Sequence, residues 1–253
     1  MSSAYERIIE LRGVSFSYSE AAFIEDLSMG AGEAAFIGLL GANGSGKSTM
    51  LKLLAGILRP QKGEANLWGK PVGSYKNKDR AKLLSYLPQV LDMNVPFRVK
   101  ELARMGLYPY DTKPPLAVDD ALGMVGLLDK KDSLLTNLSG GERRRAFIAM
   151  TLLQGAGILL LDEPLANLDI RYQMEIIRLL KELNRLKGIT IIMALHDINL
   201  AMQFEELILV KEGRLLRIGP PDEVLTEDLL KEAFGIEIKI ERHEDYRFIS
   251  YGL

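Results

Sequence analysis

Three runs of the chain are apolar from end to end, and each stops on polar residues: AAFIGLL (Ala34 to Leu40), GILLLDE (Gly157 to Glu163) and GITIIMALH (Gly188 to His196). A strand with one solvated face alternates. Continuous apolar runs separated by helical stretches instead predict strands buried on both faces of a parallel sheet. The first run opens into a glycine-rich loop, the second ends on Asp162-Glu163 and the third on His196-Asp197. In open α/β sheets ligands bind at the carboxyl ends of the strands, so three separate segments deliver polar groups to one edge. The expected fold class is α/β with a mainly parallel core sheet.

The segments around this core read differently. From Ile8 to Tyr18 the chain alternates, with Val14, Phe16 and Tyr18 on one face and Ser15, Ser17 and Ser19 on the other, which predicts a half-buried strand in an antiparallel β edge region. Between Pro88 and Gly155 the pattern changes to helices and loops punctuated by Pro96, Pro109, Pro114 and Pro115, an inserted helical subdomain. After His196 the pattern predicts a strand from Leu207 to Lys211, a turn at Glu212-Gly213, a strand to Ile218 and, after Pro220-Pro221, one helix through Phe234. The tail from Ile236 to Tyr251 alternates around His243-Glu244-Asp245 and predicts a terminal hairpin. At 253 residues one domain is expected: a core over about 1–88 and 156–235, the helical subdomain over about 89–155 and the hairpin over 236–253.

Composition narrows the function classes. The 32 basic and 34 acidic residues leave a net charge of -2, without the basic footprint of a nucleic-acid binder. With no cysteine, disulfides and thiolate-bound metals are excluded. The first residues, MSSAYERIIELRG, lack a charged head followed by an apolar core, so no secretory signal is expected and the chain is expected to stay in the cytoplasm. The apolar runs fall short of the roughly 20 residues that span a bilayer, so any membrane role must come through a partner.

Gly41-Ala42-Asn43-Gly44-Ser45-Gly46-Lys47-Ser48, followed by Thr49, fits the phosphate-loop pattern and lies between a buried strand and the helical run LLKLLAGIL. In that context glycines let successive N–H groups form an anion nest at a helix N-terminus, Lys47 reaches the β- and γ-phosphates of ATP, and Ser48 ligates Mg²⁺. Beside such a loop the carboxylates closing the second strand acquire roles: Asp162 in the Mg²⁺ shell, Glu163 polarising the attacking water. About ninety residues beyond the phosphate loop comes a second glycine pair, LSGGE from Leu138 to Glu142. Ser139 and Glu142 form a capping box for the helix that follows. Capping does not explain Gly140-Gly141, since each glycine in a first turn costs about 1 kcal/mol relative to alanine. Close backbone approach to an anion does. The second loop reads as half of another site, completed against a second copy.

These motifs together resemble the ATP-binding subunit of an ABC transporter over nearly the whole chain. Walker A is Gly41 to Thr49, the signature Leu138 to Glu142 and Walker B Ile158 to Glu163. The resemblance implies further roles: Asp169 as the D-loop aspartate, Gln89 as the Q-loop glutamine and an Mg²⁺ ligand, His196 as the switch histidine on the γ-phosphate, and Tyr18 as the aromatic that stacks on adenine. On the residues alone Tyr18 reads more often as a core or edge-strand aromatic than as an adenine contact, and His196 beside Asp197 also reads as hydrogen-bonded strand-end structure. Arg144 stands where the family often has glutamine, within Arg143-Arg144-Arg145, a run that reads as a solvated helix face; its effect on nucleotide contacts stays open.

The resemblance further implies a homodimer with ATP–Mg²⁺ sandwiched head to tail, permease subunits in the membrane, an indirect link to a solute-binding protein, and a peripheral place on the cytoplasmic face of the membrane. Val95 to Tyr110, His196 to Ala201 and Gly219 to Leu230 resemble importers of iron–siderophore, haem or cobalamin, and the 57 residues after His196 are too few for the added regulatory domain of maltose-type subunits. The alternatives are an ATPase of another ABC importer or exporter, and a soluble ABC ATPase acting on DNA or ribosomes. The latter class usually carries two cassettes or a long heptad insertion, and neither is in this sequence.

Overall fold

The computed structural model describes residues 7–19, 21, 23–89, 96–111, 116–166, 168–242 and 247–251. In chain order the elements are β1 (Ile9–Phe16), β2 (Ile24–Ala31), β3 (Phe36–Leu40), α1 (Lys47–Leu54), β4 (Lys62–Leu67), β5 (Lys70–Pro71), α2 (Asn77–Leu83), β6 (Leu84–Leu87), α3 (Val99–Met105), α4 (Val118–Met124) and α5 (Gly140–Leu153). There follow β7 (Ile158–Asp162), α6 (Ile170–Lys187), β8 (Thr190–Leu195), α7 (Ile198–Ala201), β9 (Glu206–Lys211), β10 (Arg214–Gly219), α8 (Pro221–Val224), α9 (Glu227–Phe234), β11 (Ile238–Arg242) and β12 (Arg247–Tyr251). The chain divides into two compact units, residues 1–72 with 192–253, and residues 73–191.

In the first unit β2, β1, β4 and β5 form the antiparallel sheet expected of the edge region. The pairing of β1 slips on both sides between Leu11 and Ser15, and its alternation ends at Phe16, so Tyr18 lies in a bend past the strand and is exposed. The longer strand to Tyr18 read from the sequence is corrected by two residues. β3 is buried at every position and pairs in parallel with β9, which turns back through Glu212-Gly213 into β10. Phe36 stacks on Phe204 with ring centroids 4.7 Å apart.

The expected single helix to Phe234 is two. α8 stops at Val224, and Thr226 starts α9 afresh, its hydroxyl accepting from Leu229 N while Glu227 and Asp228 sit in the first turn. A hydroxyl cap followed by acidic residues satisfies orphan N–H groups and complements the helix dipole, a start signal stronger than the periodicity that runs across it. β11 and β12 form the terminal hairpin; its expected turn, His243 to Asp245, lies outside the described residues.

In the second unit β6 and β7 pair in parallel, and β7 is buried throughout. α3, α4 and α5 pack on one another, the helical segment expected between Pro88 and Gly155. α6 buries Ile176, Ile177, Leu180 and Leu183 at helical spacing and ends on Gly188 at φ 64, an αL cap whose N–H bonds Asn184 O. Gly106, just after α3, is the tightest point of this packing: a Cβ there would lie 2.1 Å from the Met150 carbonyl oxygen of α5. Gly106→Ala is therefore expected to destabilise the unit by about 1–3 kcal/mol through overpacking. Thermal unfolding reads this as roughly 2–4 °C of lost Tm per kcal/mol, and an unchanged Tm would mean the two helices part without cost.

Candidate active site

In the first unit β3 delivers the chain into the glycine loop. Gly41 packs against β9, where a Cβ would lie 2.4 Å from Val210 O, so the loop cannot lift off the sheet to admit a side chain. Gly46 takes φ 105 and turns the backbone into α1. Only glycine adopts that angle without strain. Lys47 is buried, and its Nζ donates to the carbonyls of Gly41 at 2.8 Å and Ala42 at 3.1 Å, which folds the ammonium over the loop. Among the described residues the buried Ser45 hydroxyl has no hydrogen-bond partner, Asn43 and Gly44 are exposed, and Ser48 is half-buried in the first turn of α1.

Tyr18 is tied to this loop. Its hydroxyl and Thr49 Oγ1 are 3.1 Å apart, and its ring meets Phe16 edge-on at 4.8 Å. With 63% of the residue exposed, the aromatic is anchored at its tip and edge while keeping surface on which a flat base can stack. His196 follows β8 and is exposed. Its neighbour Asp197 caps α7, accepting from Asn199 N at 2.8 Å and Leu200 N at 3.4 Å, so that carboxylate is committed to the helix start.

In the second unit β7 ends on two buried carboxylates. Asp162 accepts from the Tyr86 hydroxyl of β6 at 3.1 Å. Glu163 stands at φ 47, a left-handed conformation that costs a glutamate about 1–3 kcal/mol and that clusters at functional sites. Its Oε2 accepts from Gln89 Nε2 at 2.8 Å, so the expected Q-loop glutamine and the expected base form one pair. Tyr86 was not singled out from the sequence; within LLSYLPQ a tyrosine reads only as a strand aromatic.

The arginine run is corrected. Arg144 and Arg145 are buried, and none of the three forms the solvated face read from the sequence. Arg143, half-buried, donates to Leu138 O. Arg145 donates to Val125 O at 2.7 Å and Gly126 O at 3.3 Å, and its guanidinium lies 4.3 Å from the Tyr172 ring centroid. Arg144 reaches the carbonyls that flank Asp162, Glu163 and Gln89. Burial pulls the Arg144 guanidinium below its ordinary range, and the carboxylates of Asp162 and Glu163 oppose that pull.

At the start of α5 the capping box has the expected geometry. Ser139 Oγ accepts from Glu142 N at 3.2 Å, and Ser139 N donates to Glu142 Oε2 at 3.0 Å. Lys130 pairs with the same carboxylate and holds it below the usual range. A Cβ on Gly140 would meet nothing within 4 Å, so among the described residues no neighbour requires glycine there. Gly141 has Leu168 Cδ2 at 3.0 Å from the corresponding point. Asp169 is exposed and caps α6 through Tyr172 N at 3.2 Å.

The parts fit nucleotide chemistry. An orphaned buried hydroxyl and a buried ammonium at a helix N-terminus suit phosphate oxygens, and a serine hydroxyl, an aspartate and a glutamine amide oxygen are the hard donors Mg²⁺ takes. Among the described residues no group of three His, Asp or Glu side chains could hold a metal ion unaided. No helix among the described residues is long and apolar enough to cross a membrane.

Known proteins resemble this chain in sequence and in fold. Residues 24–166 match the ABC transporter family. The chain is 40% identical to the petrobactin import ATP-binding protein FpuC of Bacillus anthracis, over 96% of this chain and 92% of that protein. It is 35% identical to the hemin import ATP-binding protein HmuV of Rhodopseudomonas palustris, over 94% of this chain and 91% of that one. Its structure is similar to a dimeric ATP-binding cassette in a post-hydrolysis state bound to ADP and Pi, with a TM-score of 0.75 and 25% identity over 84% of this chain and 98% of that chain. With the family model matched over more than half of its length and a relative 40% identical over nearly all of it, the chain belongs to the ABC transporter family.

Proposed function

We propose that this ABC ATPase hydrolyses ATP to ADP and phosphate and powers a membrane importer of an iron–siderophore, haem or cobalamin. The observation that carries the hydrolytic reading is Glu163: a strand-end carboxylate in a left-handed conformation, held by Gln89. The cargo class rests on the names of the relatives, petrobactin and hemin import proteins aligned over more than nine-tenths of this chain.

The residues divide the work. The N–H groups of Gly41, Asn43, Gly44, Ser45, Gly46, Lys47, Ser48 and Thr49 cradle the phosphates, the Lys47 ammonium exchanges loop carbonyls for phosphate oxygens, and Tyr18 stacks on adenine. Ser48, Asp162 and the Gln89 amide oxygen would hold Mg²⁺, which would supply positive charge to offset that of the transferred group. Glu163 accepts a proton from water as its oxygen attacks the γ-phosphorus, and ADP leaves. His196 contacts the γ-phosphate. Ser139, Gly140, Gly141 and Asp169 serve the nucleotide of a second copy, so two ATP are held head to tail; the open space at Gly140 supports this, because a partner's phosphate is what a side chain there would obstruct.

The subunit works as a peripheral protein on the cytoplasmic face, against permease subunits and, through them, a solute-binding protein; nucleic acid is not a partner. The segment between β6 and α3 is the proposed permease contact. Phe97 there is half-buried, while Met93 and Val95 lie outside the described residues.

The purified chain is expected to release phosphate from ATP only with Mg²⁺ present, and membranes holding the chain with its permease are expected to take up the ferric chelate only with ATP. Phe97→Asp should abolish uptake and assembly while ATP binding persists. Absence of Mg²⁺-dependent hydrolysis would refute the ATPase reading; hydrolysis without chelate uptake in any permease complex would refute the cargo class.

A further inference from the structure

Arg144 donates one hydrogen bond for each of the five N–H groups of its guanidinium. Nε reaches Pro164 O at 3.0 Å, Nη1 reaches Pro88 O at 3.3 Å and Gln89 O at 2.7 Å, and Nη2 reaches Asp162 O at 2.9 Å and Glu163 O at 2.5 Å. All five acceptors are main-chain carbonyls of two segments, the end of β7 with the turn that follows it and the two residues after β6. These are the segments that carry Glu163 and Gln89, whose side chains bond each other at 2.8 Å. The donor sits on α5, five residues past Ser139. No other side chain can do this: lysine has three donors on a point charge, glutamine two, and only arginine offers a rigid fork of five.

We propose that Arg144 is a positioning residue for hydrolysis: it locks the turns bearing Glu163 and Gln89 into one geometry and links that geometry to the helix that begins with the signature glycines. A carboxylate in a left-handed turn does not hold that conformation unaided, because the extended basin is lower in energy. Carbonyls on both sides of Glu163, pinned by a buried cation, supply the constraint. The cation tolerates burial because five carbonyl dipoles replace its hydration and the charges of Asp162 and Glu163 oppose its deprotonation. A movement of α5 then reaches Glu163 through a rigid fork, so contact at Ser139 to Gly141 and aim of the carboxylate are mechanically joined.

The inference rests on Glu163 being the group that polarises water, and the test separates the two. In the purified chain, Arg144→Met keeps the apolar stem and removes every donor; Arg144→Gln restores two. Steady-state phosphate release gives kcat and KM, and equilibrium ATP binding gives Kd. Expected is a loss in kcat of about 10²-fold for Arg144→Met, the scale of a 1 Å misplacement at a reacting centre, with Arg144→Gln between it and the wild type and ATP Kd unchanged in both. Adding Arg144→Met to Glu163→Gln should cost nothing further, since the positioned group is already gone.

Wild-type kcat in Arg144→Met overturns the proposal, as does a Kd that rises in step with the loss of kcat, which marks a packing role alone. If Arg144→Met does not fold, Arg144→Gln decides on the same split, and failure of both to bind ATP also overturns it. Wild-type turnover in Glu163→Gln would remove the base reading itself, whereas an inactive Glu163→Gln beside a fully active Arg144→Met removes only the positioning role.

Discussion

Glu163→Gln is expected to lower ATP turnover by about 10²–10⁴-fold, the usual contribution of a positioned general base, without weakening ATP binding. The substitution is nearly isosteric, and the new amide oxygen can still accept from Gln89 Nε2, which holds the native carboxylate at 2.8 Å. The left-handed turn is pinned through main-chain carbonyls that the mutation leaves in place. Geometry is thus retained and basicity alone is lost. Because the phosphates are assigned to the Lys47 loop, ATP should bind and remain uncleaved, and the variant should accumulate as an ATP-dependent dimer in size-exclusion or light-scattering measurements. Phosphate release at the wild-type rate would remove Glu163 from the mechanism. Hydrolysis lost together with ATP affinity would make it a binding group instead.

The glycine loop, the buried strands and the capping box were legible because each is written in local sequence: a run, a spacing or a short motif with one physical meaning. β3 and β7 are buried at every position, as unbroken apolar runs require. Arg144 and Tyr86 were not legible in this way, since their partners lie 18 to 56 residues and 76 residues away along the chain. The sequence after the arginines nevertheless carries a signal against a solvated face. The run AFIAMTLL after Arg145 has no polar face, which marks a helix surrounded on all sides. Three consecutive residues on such a helix point in directions about 100° apart, so they cannot all face water. At Tyr18 the alternation continued past the end of pairing, because period two in side chains outlasts the hydrogen-bonded ladder that defines the strand. The helix after Pro221 failed for the opposite reason: Thr226-Glu227-Asp228 carries an explicit start signal inside a run that reads as continuous.

Ser139→Arg is expected to abolish hydrolysis, by about 10²-fold or more on the scale of one lost transition-state donor, while leaving ATP binding by the isolated subunit intact. The substitution places a long side chain at the N-cap of α5 and removes the hydroxyl that accepts from Glu142 N. Loss of that cap costs about 0.5–2 kcal/mol. The reciprocal bond from the residue 139 main-chain N–H to Glu142 is independent of side chain, so α5 should still form. A purely structural role predicts damage confined to the subunit that carries the mutation. The sandwich predicts damage to the other one. Mixing Ser139→Arg chains with Lys47→Ala chains, each inactive alone, discriminates between these readings. A mixed dimer pairs the intact phosphate loop of the first with the intact signature of the second, and puts both lesions in the remaining site. With random pairing half the dimers are mixed and each has one working site, so about a quarter of wild-type activity should return if the two sites turn over independently in a two-fold dimer. Activity that stays at the level of the separate mutants would exclude a site shared between copies and assign Gly140 and Gly141 a role within their own chain.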